Sequence, residues 1–192
     1  MSASTTRVLV TVGTDHHRFD RLIGWVDRWA ADHPAVHVVV QHGTADAPAH
    51  GEAVVMLGYD ELVAEMARAD AVVAQGGPAT IMDARSVGHR PIVVPRRGHL
   101  DEVVDDHQVA FTEWMAAKDL VWLAGDEDEL RALLDAALAE PERVRIPPER
   151  GAAAETIAAY REVVDPLATA RVGRRAWRHR VPAGPGRPPA GR

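Results

Sequence analysis

The feature that most constrains this chain is the segment Ala71–Gln108. An apolar run, Ala71-Val72-Val73-Ala74, leads into Gln75-Gly76-Gly77-Pro78-Ala79-Thr80; a helical stretch carrying Asp83 follows, then a second apolar run, Pro91-Ile92-Val93-Val94-Pro95, and finally His107-Gln108. Residues 71–74 alternate too little for a half-exposed strand, so they read as a buried parallel strand. Gly76-Gly77 are expected to let the backbone turn sharply into a helix, and Pro78 suits the first helical position, where its missing N–H costs little. The amides of Ala79 and Thr80, at the positive end of that helix, then face whatever sits beyond the strand's carboxyl end, and a phosphate is the natural guest. Asp83 lies three residues past Thr80 on the same face, where a carboxylate can accept hydrogen bonds from a ribose diol. A phosphate cradle with a ribose hook behind it implies a nucleoside diphosphate; uridine diphosphate would use both.

The rest of the chain alternates strand and helix patterns. Strands are expected at 7–12, 36–41, 53–57, 71–74, 91–94 and 120–122. Phe19, Leu22, Ile23, Val26, Trp29 and Ala30 recur at helical spacing, as do Leu62, Val63, Met66 and Ala67 in a shorter helix. Further helices are expected at 101–117, 126–139 and about 149–164, with Leu130, Leu133, Leu134, Ala137 and Leu138 on the buried side of the second. Such alternation specifies an α/β domain with an open, mostly parallel sheet and ligands at the carboxyl ends of its strands.

The order "strand, x-G-G-x-x-T-I-x-D, G-x-x-P-I-V-V-P, D-x-H-Q" resembles the carboxyl-terminal, sugar-nucleotide-binding domain of family 28 glycosyltransferases. Val10-Thr11-Val12-Gly13-Thr14, with Phe19-Asp20-Arg21-Leu22-Ile23 after it, is similar to the opening of free-standing versions of that domain. The resemblance covers roughly the first 160 residues. It implies a single Rossmann-like domain, one half of a GT-B glycosyltransferase, over residues 1–165, with a tail over 166–192. The family usually carries His-x-Gly-x-Gly-Thr/Ser followed by Glu, where this chain has Gln75, Pro78, Ala79 and Asp83.

The resemblance assigns UDP-sugar contacts to Gly13, Thr14, Gly58, Tyr59, Gln75, Gly76, Gly77, Ala79, Thr80, Asp83, His107 and Gln108. Each has an ordinary alternative. Gly13-Thr14 would otherwise be a bare turn. Gly58-Tyr59 place an amide and an aromatic edge beside uracil, or Tyr59 simply packs. His107-Gln108 contact sugar hydroxyls and phosphate, or form an exposed helical pair; Gln108 is the stronger of the two because its amide both donates and accepts. Asp101, Glu102, Asp105 and Asp106 are expected to open the helix over 101–117, where its dipole favours acids. His16-His17 are expected to point apart, with no carboxylate trio for a metal, so solvent exposure or substrate contact is expected for them and no metal site is assigned. Residues 13–18 lack G-x-G-x-x-G, which disfavours a nicotinamide cofactor. No cofactor is expected beyond the UDP-sugar substrate.

The 192 residues contain no cysteine, which removes disulfides and thiolate chemistry from consideration. No apolar run reaches membrane-span length and the amino terminus lacks signal-peptide order, so a cytoplasmic location is expected. Seven of the 22 basic residues and none of the 28 acidic ones follow Asp165, so the net charge of −6 divides into −13 on residues 1–165 and a basic, Pro/Gly-rich tail. That tail is expected to be mobile, either as a plain solvated extension or as a peripheral contact with anionic lipid or an acidic partner. The acidic body argues against nucleic acid.

In this resemblance an acceptor-binding domain usually supplies the general base. The expected function is therefore the donor-binding subunit of a split glycosyltransferase, with the base on a membrane-associated, acceptor-binding partner. Trp114 and Met115 are candidate interface residues, core packing being the more frequent fate of such side chains. A non-catalytic nucleotide-sugar-binding protein and a nucleotide-sugar epimerase relative are the alternatives.

Overall fold

The computed structural model describes residues 5–149. The expected helix near 149–164, Trp177 and the arginine-rich tail lie outside the described residues. The six strands are β1 (Arg7–Thr11), β2 (His37–Gln41), β3 (Glu52–Val54), β4 (Ala71–Gln75), β5 (Ile92–Val94) and β6 (Trp122–Leu123). The helices are α1 (Asp20–Asp32), α2 (Tyr59–Arg68), α3 (Pro78–Ser86), α4 (His107–Ala117) and α5 (Glu127–Ala139). All strand pairs are parallel, in the order β3-β2-β1-β4-β5-β6.

Each central strand is apolar on both faces, and its side chains divide between two layers by the two-residue strand period. Val8, Val10, Val38, Val40, Val73, Ile92 and Val94 point to the layer containing α1 and α5. Leu9, Val39 and Val72 meet Met66 of α2 and Ala84 of α3, and Val93 meets Ile81 of α3 with Phe111 and Met115 of α4. The α1 stripe Leu22, Ile23, Val26, Trp29 and Ala30 is buried as its spacing predicts, with Phe19 just ahead of it. In α5, Leu130, Leu134 and Ala137 are buried while Leu133 and Leu138 pack at the edge. In α2 only Met66 is fully buried, and Ala67 faces solvent.

Three expectations need correction. Residues 101–106 are not helical: a single 3-10 turn at Gly98–Leu100 ends in a left-handed Asp101 (φ 56°), and α4 begins at His107. Strand β3 is shorter and earlier than 53–57 because the Leu57 amide is captured by Gln41 Oε1 at 3.0 Å, which leaves Val55 and Met56 exposed. Strand β6 starts later than residue 120, since the Leu120 amide bonds back to Met115 O and closes α4 around a left-handed Asp119 (φ 58°).

After β1 the chain builds outward through β2 and β3, then returns to place β4 on the other side of β1. The strand order reverses between β1 and β4, and the crevice outside their carboxyl ends is where open α/β sheets hold ligands.

Candidate functional site

Two glycines and a glutamine form the floor of that crevice. Gly13, just beyond β1, has φ +74°, and a Cβ there would stand 2.2 Å from Nε2 of Gln75, the last residue of β4. Gln75 is buried; its Nε2 donates to Thr80 Oγ1 at 3.1 Å, while its Oε1 is buried without a hydrogen-bond partner. Gly76 lies against α4, where a Cβ would come within 2.9 Å of both Gln108 Cβ and Thr112 Cγ2. A Cβ on Gly77 would meet Gln75 Nε2 at 2.9 Å. Gly76 and Gly77 carry the chain from β4 straight into α3, as expected from sequence, and do so without positive φ. These two positions require glycine for close approach, and the left-handed residue is Gly13.

Helix α3 starts with Pro78 at its first position, and no side chain caps it. The first intrahelical bond runs from the Ile81 amide to Gly77 O, so the amides of Ala79 and Thr80 precede the ladder and point out of the helix end. Ala79 is exposed and Thr80 buried. Asp83, one turn deeper, accepts a hydrogen bond from the Tyr59 hydroxyl at 3.2 Å. Burial raises the Asp83 pKa above the ordinary carboxylate value and the Tyr59 hydrogen bond opposes that rise. The neighbouring Asp83 charge in turn raises the Tyr59 pKa. Tyr59 is 67% exposed, so the packing alternative does not describe it. The Gly58 amide is occupied within its own helix start, donating to the Glu61 carboxylate at 2.9 Å.

Gln108 is buried in the first turn of α4, and its Oε1 accepts from the Arg96 amide at 3.2 Å. His107 pairs through Nδ1 with Asp105, whose same oxygen also accepts the His107 amide at 3.0 Å. Thr14 is exposed at the rim. The structure thus brings Gly13, Gln75, Gly76, Gly77, Thr80 and Gln108 together and sets Tyr59 with Asp83 beside the same helix.

Three supporting groups were not singled out from sequence. Gln41, at the end of β2, donates to Thr11 Oγ1 (3.1 Å) and Gly13 O (3.2 Å) while accepting from Leu57, tying the loops after β1 and β3 together. Arg96 is completely buried just past β5. Its guanidinium donates to Val12 O (2.9 Å), His17 O (2.8 Å), Arg18 O (3.3 Å) and Glu102 O (2.9 Å), and it lies over the Phe19 ring. Burial lowers its pKa, and the charges of Asp15 and Glu102 work against that. Arg21 of α1 makes a two-pronged bond to the buried Glu102 carboxylate at 2.8 and 2.7 Å. Of the four acids expected to open this helix, Asp101 and Glu102 lie ahead of α4, Glu102 holding loops in place, whereas Asp105 and Asp106 do stand at its start, Asp106 as the N-cap residue and Asp105 accepting the His107 amide.

The loop after β1 also departs from expectation. The His16 and His17 rings lie 4.1 Å apart between centroids, so they do not point away from each other. Asp15, His16 and His17 each offer one ligand-type atom within 4.8 Å of the others. Asp15 Oδ1 is already engaged, however, accepting the His17 amide at 2.8 Å and pairing with His17 Nδ1 at 2.6 Å. Burial favours the neutral Asp15, but the His17 hydrogen bonds and the Arg96 charge outweigh it and hold the carboxyl below its ordinary pKa. With Arg96 and Arg18 alongside, the arrangement is that of a hydrogen-bonded Asp–His pair. Trp114 and Met115, the candidate interface residues, pack in the core: Met115 is buried and Trp114 leans on the same cluster.

The family model of the glycosyltransferase family 28 C-terminal domain matches residues 7–163. The chain belongs to this family. It is 31% identical over 71 residues to the UDP-N-acetylglucosamine transferase subunit ALG13 of Yarrowia lipolytica, a match covering 37% of this chain and 34% of that protein. Among solved structures, the glycotransferase of kitacinnamycin superposes with a TM-score of 0.54 at 19% identity over 91% of this chain and 44% of that one. MurG of Acinetobacter baumannii gives 0.50 at 19% identity (88% and 51%), and the UDP-GlcNAc 2-epimerase of Neisseria meningitidis 0.51 at 13% (88% and 45%). At these identities the structural likeness establishes the fold: a Rossmann-like half of the GT-B architecture. The chain spans about a third of the curated relative and about half of each of these solved chains. Among the described residues no helix is long and apolar enough to cross a membrane.

Proposed function

We propose that this chain is the donor-binding subunit of a split glycosyltransferase, moving a hexose or N-acetylhexosamine from a UDP-sugar to a lipid-linked or polysaccharide acceptor. The observation that carries this reading is the uncapped start of α3 at the β1/β4 switch point, flanked by the orphaned Oε1 of buried Gln75 and by Asp83. Amides and the helix dipole suit the diphosphate, and they act most strongly as the glycosidic bond breaks and charge develops on the departing oxygen. Asp83 accepts from the ribose hydroxyls, with Tyr59 positioned next to the base; Gln108 and His107 contact the sugar side, and Thr14 lies at the rim. Transfer by inversion uses the UDP-sugar as substrate and calls for no cofactor and no metal. Family membership and the likeness to a UDP-N-acetylglucosamine transferase subunit support uridine as the nucleoside.

The acceptor site belongs to a membrane-associated partner subunit, and the complex works at the cytoplasmic membrane face, with the arginine-rich residues 166–192 adding a salt-sensitive contact to anionic lipid. A non-catalytic nucleotide-sugar-binding protein is the second reading, favoured by the uncharged Gln75 where the family usually carries histidine. The test is transfer of labelled N-acetylglucosamine from UDP-GlcNAc into membranes by the chain co-expressed with a membrane-anchored neighbour, compared with either protein alone. Label incorporation only by the pair is expected. Vigorous transfer to a soluble acceptor by the purified chain would overturn the split arrangement, and donor binding with no transfer in any pairing would select the second reading.

A further inference from the structure

The loop between β1 and α1 contains more than a rim for the cradle. Asp15 Oδ1 takes both the amide and the Nδ1 of His17, at 2.8 and 2.6 Å. A carboxylate on Nδ1 fixes that nitrogen as the proton-bearing one and leaves Nε2 as an acceptor. Nε2 of His17 has no hydrogen-bond partner among the described residues, and the side chain is 24% exposed. The ring borders an open cavity of about 580 Å³, walled by His16 and His17 on one side and by Leu100, Asp101 and Glu102 on the other. Leu100 is 45% exposed there and gives the cavity an apolar patch.

The loop is also held in place. One buried guanidinium, that of Arg96, binds Val12 O and His17 O together, so the chain leaves β1 and curls back to the same point. That brings the His17 backbone back beside Val12, whose neighbour Gly13 abuts Gln75. Thr44 Oγ1 donates to His16 O at 3.0 Å and Arg18 pairs with Asp46 at 2.6 Å, fastening the loop from the outside. A histidine of fixed tautomer whose Nε2 is unpartnered, a backbone pinned beside the β1 end of the cradle and an open cavity against the ring are the parts of a proton acceptor for an incoming hydroxyl.

We propose that His17 is the general base of the transfer, with Asp15 as its positioning residue, so that this chain and not its partner removes the acceptor proton. The inference rests on the glycosyltransferase reading above. As the acceptor oxygen bonds to the anomeric carbon, its proton passes to His17 Nε2; the bond from that carbon to the diphosphate oxygen breaks, and its electron pair leaves with the nucleoside diphosphate. Asp15 stabilises the imidazolium until the proton is lost to solvent.

Water serves as the acceptor in a test that needs no identified partner: release of UDP from UDP-GlcNAc by the purified full chain, together with calorimetric binding of UDP. The native chain is expected to release UDP slowly; His17→Gln is expected to lose about 100-fold or more of that rate, the usual scale of general-base removal, with UDP affinity within twofold. Imidazole in the buffer is expected to restore part of the rate to His17→Ala and none to the native chain. Asp15→Asn is expected to lower the rate without changing UDP affinity, and His16→Gln to have a small effect. Equal rates for native and His17→Gln, parallel loss of rate and UDP affinity, or firm donor binding by the native chain with no release would each overturn the assignment and leave the base elsewhere. No UDP binding by the native chain would instead refute the donor-site reading on which it rests.

Discussion

Arg96→Met removes the group that fastens the candidate site while keeping most of the buried aliphatic volume. Two of the four carbonyls that Arg96 binds, Val12 O and Glu102 O, are held in buried hydrogen bonds; those of His17 and Arg18 are partly exposed and can find water. Leaving a buried acceptor unsatisfied costs about 1–3 kcal/mol, so two such groups set a loss of about 2–6 kcal/mol, a large share of the ~5–15 kcal/mol that holds a domain together. Relief from burying the guanidinium, whose own pKa is lowered by that burial, offsets part of the loss and argues for the lower end of the range. For a domain of this size the melting temperature should fall by about 10 °C. Because the same guanidinium fixes the loop that carries Gly13, UDP affinity should fall as well, even at temperatures where the variant is fully folded. Denaturant unfolding gives the stability change and calorimetry on the folded variant gives the affinity. A variant within 1 kcal/mol of the native protein, binding UDP equally well, would refute the view that Arg96 organises the site.

Asp83→Ala should leave the fold intact and weaken UDP by roughly 1.5–3 kcal/mol, the scale of a hydrogen bond to a charged group; equal calorimetric affinities would reduce Asp83 to a packing residue. Since burial raises the Asp83 pKa, affinity for UDP-GlcNAc should decline on mild acidification as the carboxylate acquires a proton, and a titration series with Asp83→Asn should lack that decline. Buried His89 has its pKa lowered to about 4 by burial and by Arg145. A depressed histidine pKa contributes stability that is complete above the unfolded value near 6.5 and is lost as pH falls toward 4; the loss should reach about 2 kcal/mol by pH 5, and urea midpoints of His89→Gln should show it abolished.

Much of the architecture was legible in the sequence because the two periods are clean. The runs Val8-Leu9-Val10, Val38-Val39-Val40 and Ala71-Val72-Val73-Ala74 allow only strands covered on both faces, and the stripes of α1 and α5 state which sides cover them. The cradle glycines and Pro78 were equally readable, since glycine and proline carry local steric meaning. What was misread or passed over depends on partners remote in sequence. Glu102 looks like part of a helix-opening acidic run until Arg21, 81 residues away, claims it. Arg96 follows an apolar strand, where an arginine pair ordinarily marks the return to solvent; only the folded loop after β1 supplies the carbonyls that make its burial tolerable. Gln41 reads as a polar strand end until Gly13 and Leu57 arrive beside it. The His16-His17 pair was expected to diverge because regular backbone separates adjacent side chains, but the Asp15 turn is irregular and brings the two rings together.

Calorimetric titration of UDP, NAD and ATP into the full chain decides whether the β1/β4 crevice holds a uridine diphosphate. Saturable one-site binding of UDP, far stronger than that of NAD or ATP and abolished by Gly76→Val, which places side-chain atoms where Gln108 and Thr112 already stand, is the expected result. Binding of NAD or ATP with no response to UDP would contradict it.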